Sequence, residues 1–184
     1  MNFVPETISV MSLLNHFKTI KTFVFDMDGV LTDGSLLILP NQDFVRTMDI
    51  KDGYALQLAV KQGYQVVVIS GSSSKACAER LDYLGIRDVY MKVKNKEEML
   101  AQFLLAHELK WEETLFMGDD VPDLDVMKLV GMPCCPVDAV QDVKAISKYI
   151  SPEKGGKGCV RDVIEKVMRL NDHWPTSSGN TAAI

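Results

Sequence analysis

Two hydrophobic periods take turns along this chain, and that alternation constrains its fold more than any other feature. Short runs rich in β-branched and aromatic residues fall at Thr22–Phe25, Gln65–Ile69, Asp88–Met91, Thr114–Met117 and Met132–Val137. Between them the apolar residues recur at helical spacing. Cys77, Leu81 and Leu84 share one helical face, with Gly85 as a C-terminal stop. Met99, Leu100, Phe103 and Leu104 form a second stripe, and Val160, Val163, Ile164, Val167 and Met168 a third. Strands alternating with helices in this way predict an α/β protein, a Rossmann-like doubly wound parallel sheet with helices on both faces.

One segment breaks the rule. From Gly34 to Lys51 the sequence reads Leu36–Leu39, then Pro40-Asn41-Gln42-Asp43, then Phe44–Met48. That pattern predicts two short strands around a turn. It is a hairpin inserted between the first strand and the first sheet-covering helix, which should begin near Asp52. A short lead-in helix is expected before Phe17, and a mobile tail over about residues 172–184. No internal repeat or linker divides the 184 residues, a length suited to a single domain with one substantial core.

Composition narrows the function. The chain has 20 Lys and Arg against 25 Asp and Glu, a net charge of −5, and no basic stripe that would grip nucleic acid. Nothing approaches the roughly 18 apolar residues of a membrane span. Met1 to Asn15 lacks the positive n-region of a secretory signal. The reading is a soluble cytoplasmic protein with no membrane or nucleic-acid partner. Cys77, Cys134, Cys135 and Cys159 form no CxxC pair and are expected to be buried as small hydrophobes. His16, His107 and His173 share no ligand spacing, which argues against a His/Cys zinc site.

Ligands of open parallel sheets sit at the carboxyl ends of the strands, and the acidic residues fall there. Phe23-Val24-Phe25 runs straight into Asp26-Met27-Asp28-Gly29. Residues two apart on an extended chain face the same way, although a turn at Gly29 can redirect the second. Alone, such a pair reads more readily as two solvated loop aspartates. A second cluster changes that. Thr114–Met117 runs into Gly118-Asp119-Asp120, and Pro122-Asp123 opens a helix. Asp26, Asp28, Asp119 and Asp120 crowded at one sheet edge repel one another without a cation. Hard oxygens with no His or Cys suit Mg²⁺, which would also neutralise an incoming phosphate.

Two further elements suit a phosphate. Ser70-Gly71-Ser72-Ser73-Ser74 leads into the Cys77 helix. A hydroxyl and free amides at a helix start bind an anion as readily as they cap the helix. Lys96 opens the next helix, an unfavourable place for a cation. That points to a ligand, although most such lysines are simply solvated.

In this order the residues resemble the four motifs of the haloacid dehalogenase superfamily: Asp26-x-Asp28, Ser70, Lys96 and Gly118-Asp119-Asp120-x-x-Asp123, spread over roughly Thr22 to Leu170. Finer detail lies in Asp26-Met-Asp28-Gly-Val-Leu-Thr-Asp33-Gly34, the hairpin with Arg46, Lys51-Asp52-Gly53-Tyr54 and Gly155-Gly156-Lys157-Gly158-Cys159-Val160-Arg161-Asp162. These are similar to the capless 3-deoxy-D-manno-octulosonate 8-phosphate (KDO 8-phosphate) phosphatases. The resemblance implies a cytoplasmic homotetramer that hydrolyses a phosphorylated sugar acid in lipopolysaccharide biosynthesis. Its hairpin would help assemble the tetramer, and a neighbouring subunit would close over each active site.

The resemblance also implies roles. Asp26 would be the nucleophile that forms an aspartyl-phosphate, and Asp28 the acid that protonates the leaving hydroxyl and then the base that activates water. Mg²⁺ would be held by the Asp26 carboxylate, the Asp28 main-chain carbonyl and Asp119, with Asp120 and Asp123 holding metal-bound waters or Lys96. Ser70 and Gly71 would bind the phosphate, and Lys96 would offset its charge.

One departure matters. That subgroup usually follows its Ser/Thr-Gly with Arg, and this chain has Ser72. Arg46, Lys51, Lys157 and Arg161 are therefore candidates to meet the sugar acid, and a sialic-acid-type 9-phosphate competes as substrate. Other classes fit less well. A receiver-like or other non-catalytic phosphate-binding module has no use for a leaving-group acid such as Asp28. A phosphomutase normally needs a larger cap than Gly34 to Lys51 can form.

Overall fold

The computed structural model describes residues 10–40 and 44–175. After α1 (Val10–Thr19) come β1 (Thr22–Phe25), the hairpin strands β2 (Leu37–Ile38) and β3 (Phe44–Val45), α2 (Ile50–Lys61), β4 (Gln65–Ile69) and α3 (Lys75–Tyr83). The chain continues through β5 (Asp88–Tyr90), α4 (Lys96–Ala106), β6 (Thr114–Met117), α5 (Leu124–Met127), β7 (Met132–Cys135), α6 (Gln141–Ile146), β8 (Tyr149–Ile150) and α7 (Cys159–Leu170).

Six strands form one parallel sheet in the order β5-β4-β1-β6-β7-β8. The chain winds outward from β1 through β4 and β5, then returns to build β6, β7 and β8 on the other side. The winding direction therefore reverses between β1 and β6, where loops diverge and leave a crevice. Strand alternation divides the core into two layers. Phe23, Phe25, Val66, Val68, Leu115 and Met117 pack with Leu56, Leu81 and Ile164 on one face. Val24, Val67, Ile69 and Phe116 pack with Leu100, Phe103, Val126 and Val143 on the other. All four cysteines are free and buried.

The strands and stripes read from the sequence are present, with differences at the margins. The run from Met132 is strand only to Cys135, because Pro136 has no N–H to continue a ladder. The first sheet-covering helix starts at Ile50 rather than Asp52, with Asp49 accepting from the amides of Lys51 and Asp52. The lead-in helix runs on through Phe17, which is buried. Two short elements, β8 and α6, carry too little apolar pattern to be read in advance. The expected tail lies largely outside the described residues. Within it Trp174 is buried, edge-on to Tyr54 at 6.3 Å between ring centroids. Packed structure therefore reaches past Asn171.

The hairpin pairs only Leu37 with Val45 and Ile38 with Phe44, shorter than its apolar runs, and its turn at residues 41–43 lies outside the described residues. Met48 pairs back with Thr32 instead, which ties the hairpin base to the end of the β1 loop. Among the described residues no helix is long and apolar enough to cross a membrane.

Candidate active site

Three loops meet at the carboxyl edge of β1, β4 and β6. Asp26 ends β1 in extended conformation, its N–H donating to Met117 O on β6 at 3.0 Å. The chain then makes one wide turn over Met27–Leu31, closed by the Thr32 N–H on Met27 O at 2.9 Å. Gly29 carries the turn at φ +91°, and a Cβ there would lie 2.0 Å from Asp119 Oδ2. Only glycine lets the two acidic loops approach this closely.

Asp26, Asp119 and Asp123 each bring a carboxylate oxygen within 4.8 Å of the others. Lys96, at the first position of α4, reaches into the group. Its Nζ lies 2.8 Å from Asp26 Oδ1 and donates to Asp123 Oδ1 at 2.6 Å. The unfavourable placement of Lys96 thus has a partner on each side. Asp123 turns its other oxygen to the amides of Asp119 and Asp120 at 3.1 and 3.4 Å, fixing the loop after β6. Asp120 accepts from the Val121 N–H at 2.8 Å.

Three acids share one lysine, and the electrostatics reflect it. Burial raises Asp26 to about 6, with Lys96 pulling it down and the charge of Asp123 pushing it up. Burial and the charges of Asp26, Asp123 and Asp120 raise Asp119 to about 8. Asp119 Oδ1 is buried with no hydrogen-bond partner among the described residues. A clustered, oxygen-only donor set with an orphaned carboxylate oxygen fits a hard divalent cation of the Mg²⁺ type.

Asp28 does not join this group. Its side chain turns to the opposite wall, where Arg46 holds both oxygens, Nε on Oδ1 at 2.6 Å and Nη2 on Oδ2 at 3.1 Å. Ser72 Oγ donates to Oδ2 at 2.6 Å and Thr32 Oγ1 to Oδ1 at 3.3 Å. Burial acts to raise Asp28, but the hydrogen bonds from Arg46 and Ser72 and the Arg46 charge outweigh it and hold it below the usual carboxylate range. Ser72 figured in the sequence as one serine of the anion-binding segment and as a missing arginine, and no local pattern marks it as a partner of Asp28.

Ser70 is buried, its N–H on Tyr90 O and its Oγ accepting from the Ser72 N–H at 3.1 Å. It does not begin the helix. Ser74 caps α3, so Ser70 and Gly71 form a separate loop at the end of β4. Asp26, Asp28, Ser70, Gly71, Ser72, Lys96, Asp119, Asp120 and Asp123 all line one cleft of about 340 Å³. Arg46 stands between that cleft and a larger cavity of about 720 Å³ under the hairpin, lined also by Lys75 and Arg80. The other candidate substrate contacts are elsewhere. Lys51, Lys157 and Arg161 surround a different pocket with Glu153, Asp162 and Glu165. Arg161 is engaged there by Glu165 at 3.0 Å and by the Trp174 ring.

Comparison with known proteins gives a consistent set of relatives. The chain is 28% identical to the 3-deoxy-D-manno-octulosonate 8-phosphate phosphatase of Yersinia pestis over 168 residues, covering 91% of this chain and 89% of that protein. The same-named phosphatase of Moraxella catarrhalis, solved with magnesium, phosphate and KDO, superposes with a TM-score of 0.86 at 26% identity, covering 90% and 95% of the two chains. A structure described as a probable yrbi family phosphatase, from Pseudomonas syringae pv. phaseolica, is 30% identical with a TM-score of 0.85 over 88% and 92%. No family model matches the chain.

Proposed function

The chain belongs to the haloacid dehalogenase superfamily, among the phosphatases related to KDO 8-phosphate phosphatase, and from that premise we propose that it hydrolyses a phosphorylated sugar acid, KDO 8-phosphate, through an aspartyl-phosphate. The observation that carries the reading is the convergence of Asp26, Asp119, Asp123 and Lys96 on one cleft at the β1–β6 reversal, with Asp28 on the facing wall. The Asp26 carboxylate, the Asp28 main-chain carbonyl and Asp119 would hold Mg²⁺, which would supply positive charge to orient and neutralise the phosphate. Asp120 lines the cleft beside this group.

Asp26 is ionised near neutral pH and attacks phosphorus, while the P–O bond to the sugar breaks. Asp28 gives its proton to the departing sugar oxygen. It then takes a proton from the water that attacks the phosphorus of the acyl phosphate, which releases inorganic phosphate and frees Asp26. Ser70 and Gly71 donate to phosphoryl oxygens, and Lys96 offsets charge on the phosphate and on Asp26. With Arg46 engaged, Asp28 is held as the carboxylate that suits the second step. The first step therefore requires the incoming sugar to draw Arg46 away, an acid group on it competing for the guanidinium, and Asp28 to take up a proton from solvent before giving one to the leaving oxygen.

Arg46 takes over the position left without charge by Ser72, its Nη2 lying 3.3 Å from Ser72 Oγ. That substitution keeps sialic-acid-type 9-phosphates as the second reading. Phosphate release from purified protein decides between them, assayed on KDO 8-phosphate, N-acetylneuraminate 9-phosphate and uncharged sugar phosphates. Turnover of the uncharged esters alone would remove the sugar-acid assignment. We also read the protein as a cytoplasmic homotetramer acting in lipopolysaccharide synthesis, and the hairpin bears on the assembly alone. Leu37 and Ile38 are 62% and 68% exposed, apolar surface that another copy of the chain would cover.

A further inference from the structure

One buried carboxylate on α2 lies outside the cleft. Asp52 is 2% exposed, and its two oxygens accept main-chain bonds from the start of α7. The Arg161 N–H donates to Oδ1 at 2.7 Å and the Gly158 N–H to Oδ2 at 3.1 Å. The residue at the N-cap of α7 is Gly158, which has no side chain to cap with. An aspartate 106 positions away therefore satisfies amides that a local Ser or Asp usually takes. Burial raises Asp52 to about 6, with the two amide bonds opposing that rise. A buried acid kept at such a cost has something to hold.

What it holds leads to the cleft. The Gly155–Gly158 segment presses against the Met27–Leu31 turn. The Gly156 N–H donates to Val30 O at 2.8 Å. A Cβ at Gly155 would lie 1.9 Å from Gly29 O, on the residue that follows Asp28. The far side of that turn is already fixed by the approach of Gly29 to Asp119, so the glycine segment completes its seating.

We propose that Asp52 is a positioning residue for phosphoester hydrolysis: it clamps the start of α7, which holds the 155–158 segment against the turn and thereby fixes Asp28 at the cleft. The kinetic part rests on the reading of Asp28 as leaving-group acid; the clamp does not. Loss of Asp52 reaches the chemistry through the backbone, so it impairs the step that uses Asp28 more than phosphate binding.

Asp52→Asn tests this, because its amide group sets a donor against one of the two N–H groups. In the full-length chain with Mg²⁺, kcat on KDO 8-phosphate should fall about 10-fold with KM nearly unchanged, within the roughly 10²-fold that a 1 Å misplacement costs. The p-nitrophenyl ester, whose leaving group needs no proton, should lose less than about twofold. Gly155→Ala, which displaces the same contact from the loop side, should show the same selectivity. Hydrogen exchange judges the clamp without any turnover, with Asp52→Asn quickening exchange at residues 155–161 and also at 28–32. Faster exchange at 155–161 with 28–32 unchanged overturns the proposal, as do equal losses on both esters where Asp28→Asn itself loses the sugar ester selectively; equal losses for both variants overturn the reading of Asp28 instead. A wild type that hydrolyses neither ester defeats the phosphatase reading instead, while the exchange result still decides the clamp.

Discussion

The acidic cleft and the hairpin depart from ordinary burial in opposite directions. In the cleft, Asp26, Lys96 and Asp123 are charged groups withdrawn from water; on the hairpin, Leu36, Leu37, Ile38 and Phe44 are large apolar groups left in it. Burying an ion costs several kcal/mol unless other charges offset it. Leaving apolar surface exposed forgoes roughly 25 cal/mol for each Å². Lys96 offsets part of the first cost inside the chain, whereas the hairpin side chains stay exposed among the described residues. A small cation fits the one region, and the proposed assembly would bring an apolar surface to the other. Each should therefore respond to perturbations that leave the other alone.

The largest separation comes from Asp26→Asn. Turnover should fall by about 10³-fold or more, as for other enzymes stripped of a nucleophile that acts within a concerted set, while light scattering shows the same assembly as wild type. An Asn variant that keeps more than a few percent of activity denies Asp26 its role.

Asp28→Asn sharpens the division within the cleft itself. It keeps the main-chain carbonyl, so the Mg²⁺ concentration needed for half-maximal rate should change little. Turnover of sugar phosphates should drop by about 10²-fold or more, and that of p-nitrophenyl phosphate by less. Uniform losses across the two esters would leave Asp28 without an acid role.

Charge crowding also predicts a pH signature whose Mg²⁺-sensitive part belongs to the cleft, buried Asp52 at about 6 adding a part that Mg²⁺ leaves in place. Asp26 at about 6 and Asp119 at about 8 lie above the ordinary carboxylate value. The folded chain therefore holds protons that the unfolded chain has released, and stability falls as pH rises from about 4 to 8. The slope approaches about 1.4 kcal/mol per pH unit for each proton concerned. In EDTA the melting temperature should decline from pH 5 to pH 8, and Mg²⁺, by replacing those protons, should flatten the cleft's part of the decline. A flat profile in EDTA would mean the acids are not crowded as the structure places them.

The smallest effect on chemistry is expected from the hairpin. Leu37→Lys with Ile38→Lys should dissociate the assembly in light scattering while the pH profile of melting stays as in wild type. With the neighbouring subunit gone, kcat/KM for a sugar phosphate should fall several-fold more than for a small aryl phosphate. A wild type that is already monomeric at micromolar concentration would refute the assembly outright.

The sequence by itself determined the sheet and the edge at which its acids collect. Phe23 to Phe25 and Thr114 to Met117 are apolar runs that end in aspartates, and both the run and its ending are local facts, independent of what packs against them. The stripes of α3, α4 and α7 were legible for the same reason, since helical spacing is written along a few turns of chain. Lys96 could be noticed as misplaced at a helix start, but its two carboxylate neighbours could not be named, because they come from separate loops. Tertiary packing alone decided that Asp28 faces Arg46 and Ser72 rather than Asp26, since one wide turn reverses its side chain. Packing alone also took Lys51, Lys157 and Arg161 away from the cleft and set Asp52 under a helix 106 positions further on. Side chains far apart in sequence meet according to the crossing of helices over the sheet and the reach of each rotamer, and no local pattern encodes either.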